Sequence, residues 1–231
     1  MDIQRRIIDI QNTIKLTAAK CGRDPRQIQL LAVSKGQSVS SILEAHAAGI
    51  TNFGESYWQE AQIKISQLAN LNITWHFIGS IQSNKTAAIA TNFSWIHSID
   101  NYKIINLLSK YRPDNLPPLN ICIQLNLDNE PNKAGIHQSA IYDLIKNIDT
   151  LPKIKLRGLM AIPKTQTSEA EQYTSFLRIQ QIFVELNRNL RQPLDTLSMG
   201  MSGDFITAIR ASSTIVRIGS GIFGSNQLPQ K

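Results

Sequence analysis

The stretch IQLLAVSK, residues 28–35, decides the fold expected for this chain, because it predicts a buried strand that ends on a lysine. Branched aliphatic side chains of this kind fit the packed faces of a strand inside a protein. Seven further segments rich in branched and aromatic residues follow along the chain: TNFGES (51–56), WHFIGS (75–80), SWIHSID (94–100), LNICIQLNL (119–127), KLRGLMAI (155–162), TLSMGMS (196–202) and IVRIGSGIFG (215–224). The sequence therefore predicts eight strands.

The segments between these strands carry the spacing of amphipathic helices. Apolar residues recur at helical intervals over residues 39–46, and Gly49 supplies a left-handed residue that ends a helix. Ser168 and Glu171 form a capping box, which predicts a long helix over residues 168–190. One more helix is predicted ahead of the first strand, because four isoleucines there are spaced by four, three and four residues: Ile3, Ile7, Ile10 and Ile14.

Alternating strands and helices predict an α/β protein with a parallel sheet, because each helix returns the chain to the start of the next strand. Eight such units favour a closed (β/α)8 TIM barrel with an extra N-terminal helix; the alternative is an open doubly wound sheet. We find no linker or break in composition, so residues 1–231 are expected to form a single domain.

The composition is that of an ordinary globular protein, with 42% hydrophobic and 18% charged residues. The sequence shows no signal peptide and no run long enough to span a membrane, so we expect a soluble, cytoplasmic protein. Cys21 and Cys122 lie far apart, and the four histidines lack the spacing of metal ligands. We therefore expect neither a disulfide framework nor a metal site.

The formal net charge of +7 raises the question of a nucleic-acid partner. The basic residues are scattered, with no block of five or more, which favours a solvated basic surface over a nucleic-acid groove.

Gly219, Gly221 and Gly224 match the glycine pattern of dinucleotide sites, but only seven residues follow them. A dinucleotide site needs its glycines at the start of a βαβ unit, so this interpretation is rejected.

In a barrel, residues at the carboxyl ends of the strands meet at one mouth, where Lys35 is expected to lie. A lysine there is either a solvated strand-end residue or an amine that forms a Schiff base with an aldehyde. The glycines after the eighth strand, together with Ser202 and Gly203 ahead of a helix capped near Asp204, indicate a phosphate site. The alternative at that position is a plain capped helix.

Other polar residues of the strands have two interpretations each. Arg217 lies in an apolar strand, so it either pairs with a structural carboxylate or faces a ligand, and the adjacent glycines favour the ligand. His76 and Ser98 lie among apolar residues, where hydrogen-bonded core groups are more common than ligand contacts. Ser56 opens a helix, and its interpretations are a capping residue or a contact to the pocket.

Taken together, seven motifs resemble those of the pyridoxal phosphate homeostasis family, single-domain relatives of the alanine racemase barrel. The motifs match in order and spacing over nearly the whole chain: LLAVSK, NFGES, WHFIGSIQSNK, HSID, RGLMAI, LSMGMSGDFITAI and VRIGSGIFG. The resemblance implies a fold-type III barrel with pyridoxal 5'-phosphate (PLP) as its cofactor. Departures from the family pattern are Gly36 and Ser220, where threonine is common, and Ser56, where asparagine is usual.

The resemblance also implies roles for individual residues. Lys35 would hold PLP as an internal aldimine, and Arg217 would face the pyridine nitrogen. The remaining expected cofactor-binding residues are Ser202, Gly219 and Ser220 at the phosphate, with Ser56 and His76 elsewhere in the pocket. A protonated guanidinium leaves the ring nitrogen unprotonated, which makes the ring a weak electron sink.

The implied function is non-catalytic: the family holds or delivers PLP and takes part in the homeostasis of vitamin B6 and amino acids. No catalytic residue is assigned, because similar racemases need a second domain and a tyrosine base, and this chain stops soon after its eighth strand. The expected partners are PLP, enzymes that lack their PLP and a regulatory protein, with no nucleic acid or membrane, and the chain is expected to be a monomer. The alternative function is a PLP enzyme with weak amino-acid racemase activity.

Overall fold

The computed structural model describes residues 2–128, 130, 134–148, 150–164 and 166–224, and its eight strands close into one parallel barrel in sequence order. Each strand pairs with the next, and β8 pairs with β1. This arrangement confirms the predicted barrel over the open sheet. The strands are β1 (Gln29–Val33), β2 (Asn52–Glu55), β3 (Thr74–Phe77), β4 (Trp95–Ile99), β5 (Leu119–Leu125), β6 (Ile154–Ala161), β7 (Thr196–Ser198) and β8 (Ile215–Ile218).

Helices connect the strands and surround the barrel. They are α1 (Ile3–Lys20), α2 (Val39–Ala47), α3 (Trp58–Gln67), α4 (Thr86–Asn92), α5 (Tyr102–Tyr111), α6 (Ile141–Ile148), α7 (Glu169–Asn189), α8 (Phe205–Arg210) and α9 (Ser220–Phe223). The predicted extra helix is α1, which buries Ile7, Ile10 and Ile14 and packs against α2, α8 and α9. The capping box at the start of α7 is present as predicted, with Ser168 and Glu171 each accepting a backbone N–H of the other.

The strands form nearly continuous apolar runs, because a parallel sheet inside a ring of helices is buried on both faces. The largest fully buried side chains include four phenylalanines: Phe53, Phe77, Phe93 and Phe176. Among the described residues, no helix is both long and apolar enough to cross a bilayer. The apolar packing fixes the positions of the strand ends, which is where the candidate site lies.

The eighth predicted strand is shorter than expected. It ends at Ile218, and Ser220–Phe223 form the helical turn α9, in which the Phe223 N–H donates to the carbonyl of Gly219. The prediction of a strand reaching residue 224 was wrong because the apolar residues of α9 pack into the core as part of a helical turn, and Gly224 ends that turn with a φ of 83°. The first residues of α9 therefore lie at the mouth of the barrel.

Candidate functional site

A cavity of about 460 Å³ lies at the mouth of the barrel, at the carboxyl ends of the strands. Six of the seven predicted cofactor-binding residues line it: Lys35, Ser56, Ser202, Arg217, Gly219 and Ser220. They come from the ends of β1, β2, β7 and β8, so the fold brings together residues that lie up to 185 positions apart, from Lys35 to Ser220. His76 is the predicted residue that does not line the cavity.

Lys35 lies in a tight turn directly after β1. The N–H of Gln37 donates to the carbonyl of Ser34 at 3.0 Å, which places Lys35 and Gly36 at the two central positions of the turn. Gly36 has a φ of 70°, as the third residue of a type II turn requires, and glycine adopts this conformation at low cost. The predicted strand ended on Lys35, whereas β1 ends at Val33 and the turn that follows presents the exposed side chain of Lys35 to the cavity.

The opposite side of the cavity is a cradle of backbone and hydroxyl groups from the ends of β7 and β8. The N–H of Gly221 donates to the Ser202 hydroxyl at 3.1 Å, which joins the two chain segments. A Cβ on Gly221 would lie 2.9 Å from Ile218 Cγ2, whereas a Cβ on Gly203 would meet nothing within 4 Å. The cradle is thus tightly packed at Gly221 and open at Gly203, and backbone N–H groups beside such an opening suit the oxygens of a phosphate.

Asp204 is the N-cap residue of α8, at the predicted position, but its side chain makes no capping hydrogen bond to the helix. Its Oδ1 accepts the N–H of Met201 at 2.6 Å, and the N–H of Asp204 donates back to the Met201 carbonyl. Burial raises the pKa of this carboxyl. The two hydrogen bonds between Asp204 and Met201 stabilise the loop that carries Ser202.

Arg217 is buried, with 4% of its surface exposed, and hydrogen bonds hold its guanidinium against β6 and β7. Its Nη1 donates to the carbonyl and to the hydroxyl of Ser198 at 2.6 and 2.8 Å, and its Nη2 donates to the carbonyl of Ala161 at 3.1 Å. Among the described residues, no carboxylate forms an ion pair with it. Burial lowers the pKa of Arg217 to about 10, so it remains protonated at neutral pH.

His76 lies in the interior of the barrel, below the cavity. Its Nε2 lies 3.1 Å from Asn52 Oδ1 and its Nδ1 lies 3.0 Å from His97 Nε2, while His97 Nδ1 lies 2.8 Å from the Ser198 hydroxyl. His76 is thus connected to the site through His97 and Ser198. Burial lowers the pKa of His76 to about 3 and that of His97 well below its usual value, so both imidazoles are neutral.

The remaining polar residue singled out from the sequence, Ser98, is 6% exposed and donates its hydroxyl hydrogen to the carbonyl of Gly79 at 2.5 Å. Gly79 approaches the end of β2 so closely that a Cβ on it would lie 2.0 Å from the Ser56 carbonyl oxygen. This contact requires glycine and holds Ser56 at the edge of the cavity.

A second cavity, of about 520 Å³, adjoins the first and shares Lys35 and Ser56 with it. Its wall includes polar residues that the sequence analysis did not assign: Gln59, Ser80, Gln82, Lys85 and Gln124. Three of these belong to GSIQSNK, a segment that contributed to the family resemblance but had no chemical signature of its own. Space for a second small molecule is therefore available beside Lys35.

Comparisons with known proteins place the chain among relatives of similar length. Residues 9–227 match the family model of the alanine racemase N-terminal domain. The pyridoxal phosphate homeostasis protein of Pseudomonas aeruginosa is 46% identical over 223 residues, which cover 96% of this chain and 95% of the relative. The protein of the same name from Escherichia coli K12 is 42% identical over 234 residues, covering 100% and 99% of the two chains.

Solved structures agree with this comparison. PipY of Synechococcus elongatus, solved with PLP bound, is 32% identical, with a TM-score of 0.84 over 96% of this chain and 100% of PipY. Alanine racemase from E. faecalis has a TM-score of 0.69 at 14% identity, over 98% of this chain and 59% of the racemase. That second likeness concerns the fold alone.

Proposed function

The chain belongs to the pyridoxal phosphate homeostasis family, and we propose that it binds PLP at the mouth of its barrel and takes part in the cellular balance of PLP and amino acids. The observation that carries this proposal is the shared cavity: an exposed lysine amine and a glycine-serine cradle face the same space. An aldehyde that also bears a phosphate suits both ends of such a site.

The residues present fit this cofactor. Ser202, Gly219 and Ser220 would hold the phosphate, because all three line the cavity after β7 and β8 and together carry hydroxyl and backbone N–H groups. Lys35 would supply the amine for the aldehyde, and Arg217 would donate a hydrogen bond to the ring nitrogen. When bound, PLP supplies an electrophilic aldehyde and a ring that can withdraw electrons.

Ser56 and His76 complete the proposal in different ways. Ser56 lines the cavity and would contact the ring directly, with a shorter side chain than the asparagine usual in the family. His76 would act at a distance, through the hydrogen bonds that connect it by His97 and Ser198 to Arg217. Its support for the cofactor is therefore proposed to be indirect.

A non-catalytic role is supported by the surroundings of Arg217. Its hydrogen-bond partners among the described residues are the neutral oxygens of Ser198 and Ala161. A guanidinium that stays protonated donates to the ring nitrogen without transferring a proton, which weakens the ring as an electron sink. We therefore propose that the protein holds and delivers PLP rather than turning over an amino acid.

A second candidate function, weak amino-acid racemase activity, is favoured by one observation. The second cavity adjoins Lys35, and Tyr57 and Lys85 line it. Both side chains carry a group that can exchange a proton, and the space would admit a small amino acid. Racemisation removes a proton from one face of the substrate's α-carbon and adds one to the other, so it would need two such groups on opposite sides of the substrate.

The experiment that separates the two functions uses the PLP-loaded protein. It is mixed with an enzyme that lacks its PLP, and the recovery of that enzyme's activity is measured beside the loss of α-deuterium from labelled amino acids. The proposal predicts recovery of activity with no loss of deuterium. Deuterium loss that disappears in Lys35→Ala would establish the racemase-like function instead.

The rest of the proposal concerns the oligomeric state of the protein, its location in the cell and its partners. We propose a single domain acting as a monomer in the cytoplasm. The monomer is supported by the cavity, because residues of one chain line it. We propose that enzymes that lack their PLP receive the cofactor from this protein. A regulatory protein is the second proposed partner.

A further inference from the structure

A buried group of charges lies directly behind the turn that carries Lys35. Lys64, on α3, is 3% exposed and donates three hydrogen bonds from its Nζ: to Glu55 Oε1 at 2.8 Å, to Glu60 Oε1 at 2.5 Å and to the carbonyl of Ser34 at 2.6 Å. We call Glu55, Glu60 and Lys64 the ion cluster. None of these three residues lines the 460 Å³ cavity, so direct contact with the cofactor does not explain why charged residues are buried there.

The ion cluster contacts the backbone on both sides of Lys35. On the N-terminal side, the Ser34 carbonyl accepts from Lys64, and the Ser34 hydroxyl donates to Glu55 Oε1 at 2.5 Å. On the C-terminal side, the N–H of Gly36 donates to Glu60 Oε1 at 2.6 Å. The two residues that flank Lys35 are thus fixed by charge-assisted hydrogen bonds, which are stronger than neutral ones.

We propose that the ion cluster is a positioning device for Lys35, in which Glu60 and Lys64 fix the turn so that the lysine amine meets the cofactor aldehyde. This inference rests on the proposed function. The Lys35 side chain is exposed and has four rotatable carbon bonds, so its backbone is the part that the protein can hold. A displacement of about 1 Å in a reacting group can lower a rate about 100-fold, so fixing the backbone matters for the reaction.

The composition of the cluster supports a functional explanation over a purely stabilising one. Two carboxylates share one ammonium group, and Glu55 Oε2 is buried with no hydrogen-bond partner in the described part of the chain. Burial raises the pKa of Glu55, which reflects the cost of keeping its charge there. Apolar residues of similar size often stabilise a protein as well as a buried ion pair does, so stability alone does not require these charges.

The test uses a matched pair of variants at Glu60, which is half-buried and whose replacement leaves Lys64 paired with Glu55. Glu60→Ala removes the acceptor for the Gly36 N–H, whereas Glu60→Gln keeps an oxygen at that position. Two quantities are measured for each: the rate at which PLP becomes attached in a form that borohydride traps, and the affinity for pyridoxine 5'-phosphate, which has no aldehyde. Lys146→Met, at an exposed lysine on α6, is the control.

The inference predicts that Glu60→Ala attaches PLP about 10- to 100-fold more slowly than the wild type, with an affinity for pyridoxine 5'-phosphate unchanged within about twofold. Glu60→Gln is expected to recover most of the rate, and Lys146→Met to match the wild type. The double variant Glu55→Gln/Lys64→Met, which removes a carboxylate and the ammonium together, is expected to show the same separation of rate from affinity.

Two results would overturn the inference. Equal attachment rates in Glu60→Ala and the wild type would mean that the turn does not need the ion cluster. A parallel loss of rate and of pyridoxine 5'-phosphate affinity would mean that the cluster supports the whole site rather than Lys35. If the wild type itself attaches no PLP, the proposed function fails, which is a different result from either of these.

Discussion

Arg217 donates Nη1 to the Ser198 hydroxyl at 2.8 Å, and this bond begins a chain of hydrogen bonds that crosses the barrel interior. A guanidinium carries donors only, so Ser198 accepts and can pass its own hydrogen to His97 Nδ1. Asn52 Oδ1 can only accept, so a neutral His76 donates to it from Nε2 and accepts at Nδ1 from His97 Nε2. This leaves His97 Nδ1 to accept from Ser198. In this assignment the Ser198 hydroxyl and all four ring nitrogens of the two neutral histidines have partners.

The Ser198→Ala variant removes the central member of this chain. The Nδ1 atom of His97 would remain buried without its partner, and leaving such a group unsatisfied costs about 1–3 kcal/mol. We expect the free energy of unfolding, measured by urea denaturation, to fall by about that amount. The comparison is Ser66→Ala, at an exposed helix position, where a change of equal size would contradict the assigned role of Ser198.

The Arg217→Met variant separates binding of the ring from binding of the phosphate. It removes a donor proposed to face the ring nitrogen, and hydrogen bonds of charged groups contribute about 1.5–3 kcal/mol, or about 10- to 100-fold in affinity. We expect pyridoxine 5'-phosphate to bind more weakly by that factor while inorganic phosphate binds as before. Unchanged binding of both ligands by a folded variant, measured by calorimetry, would remove Arg217 from the site.

The two buried histidines predict a loss of stability in acid. Burial lowers the pKa of His76 from 6.5 to about 3, so between these pH values the unfolded chain binds a proton at this residue that the folded chain does not. The free energy of unfolding therefore falls as the pH is lowered through this window, by up to about 1.4 kcal/mol per pH unit for one such group. His97 adds a contribution of the same sign.

Urea denaturation at several pH values between about 6.5 and 4 tests this linkage against His76→Gln. Glutamine keeps a polar side chain but does not titrate, so the variant is expected to lose less stability per pH unit than the wild type. Parallel slopes for the two proteins would show that His76 is protonated in the folded state.

A pair of glycines tests the close contact between the ends of β2 and β3. Alanine at Gly79 would place its Cβ 2.0 Å from the Ser56 carbonyl oxygen, so the two segments would have to move apart. Alanine at Gly203 would meet no atom within 4 Å. We expect Gly79→Ala to lower the free energy of unfolding by about 3 kcal/mol or more and Gly203→Ala to leave it nearly unchanged. Equal stabilities would contradict the contact.

The barrel and most of its candidate site could be predicted from the sequence, because the signals are local. Branched residues mark each strand, and a strand end in a barrel points to the mouth, which predicted the position of Lys35. The cofactor-binding roles of Lys35, Ser202 and Arg217 came from the family resemblance. The end of β8 was placed wrongly, since the apolar residues after Gly219 fit a strand and a helical turn equally well. Only the packed structure distinguishes the two.

The hydrogen-bond chain and the ion cluster were not predicted, for a physical reason. His97 and Ser198 are 101 residues apart and meet across the barrel interior, and nothing in their local sequence indicates that contact. Lys64 looks like an exposed lysine of an amphipathic helix, yet it is 3% exposed because Glu55 and Glu60 pair with it. Such pairings depend on how the elements pack, which a local pattern does not encode.

The measurement that tests the central claim most directly is mass spectrometry of peptides from PLP-loaded protein after borohydride reduction. We expect the added pyridoxyl group on the peptide that contains Lys35, and none on the corresponding peptide of Lys35→Ala. Attachment at another lysine of the wild type, or no attachment at all, would contradict the assignment of Lys35 as the residue that holds the cofactor.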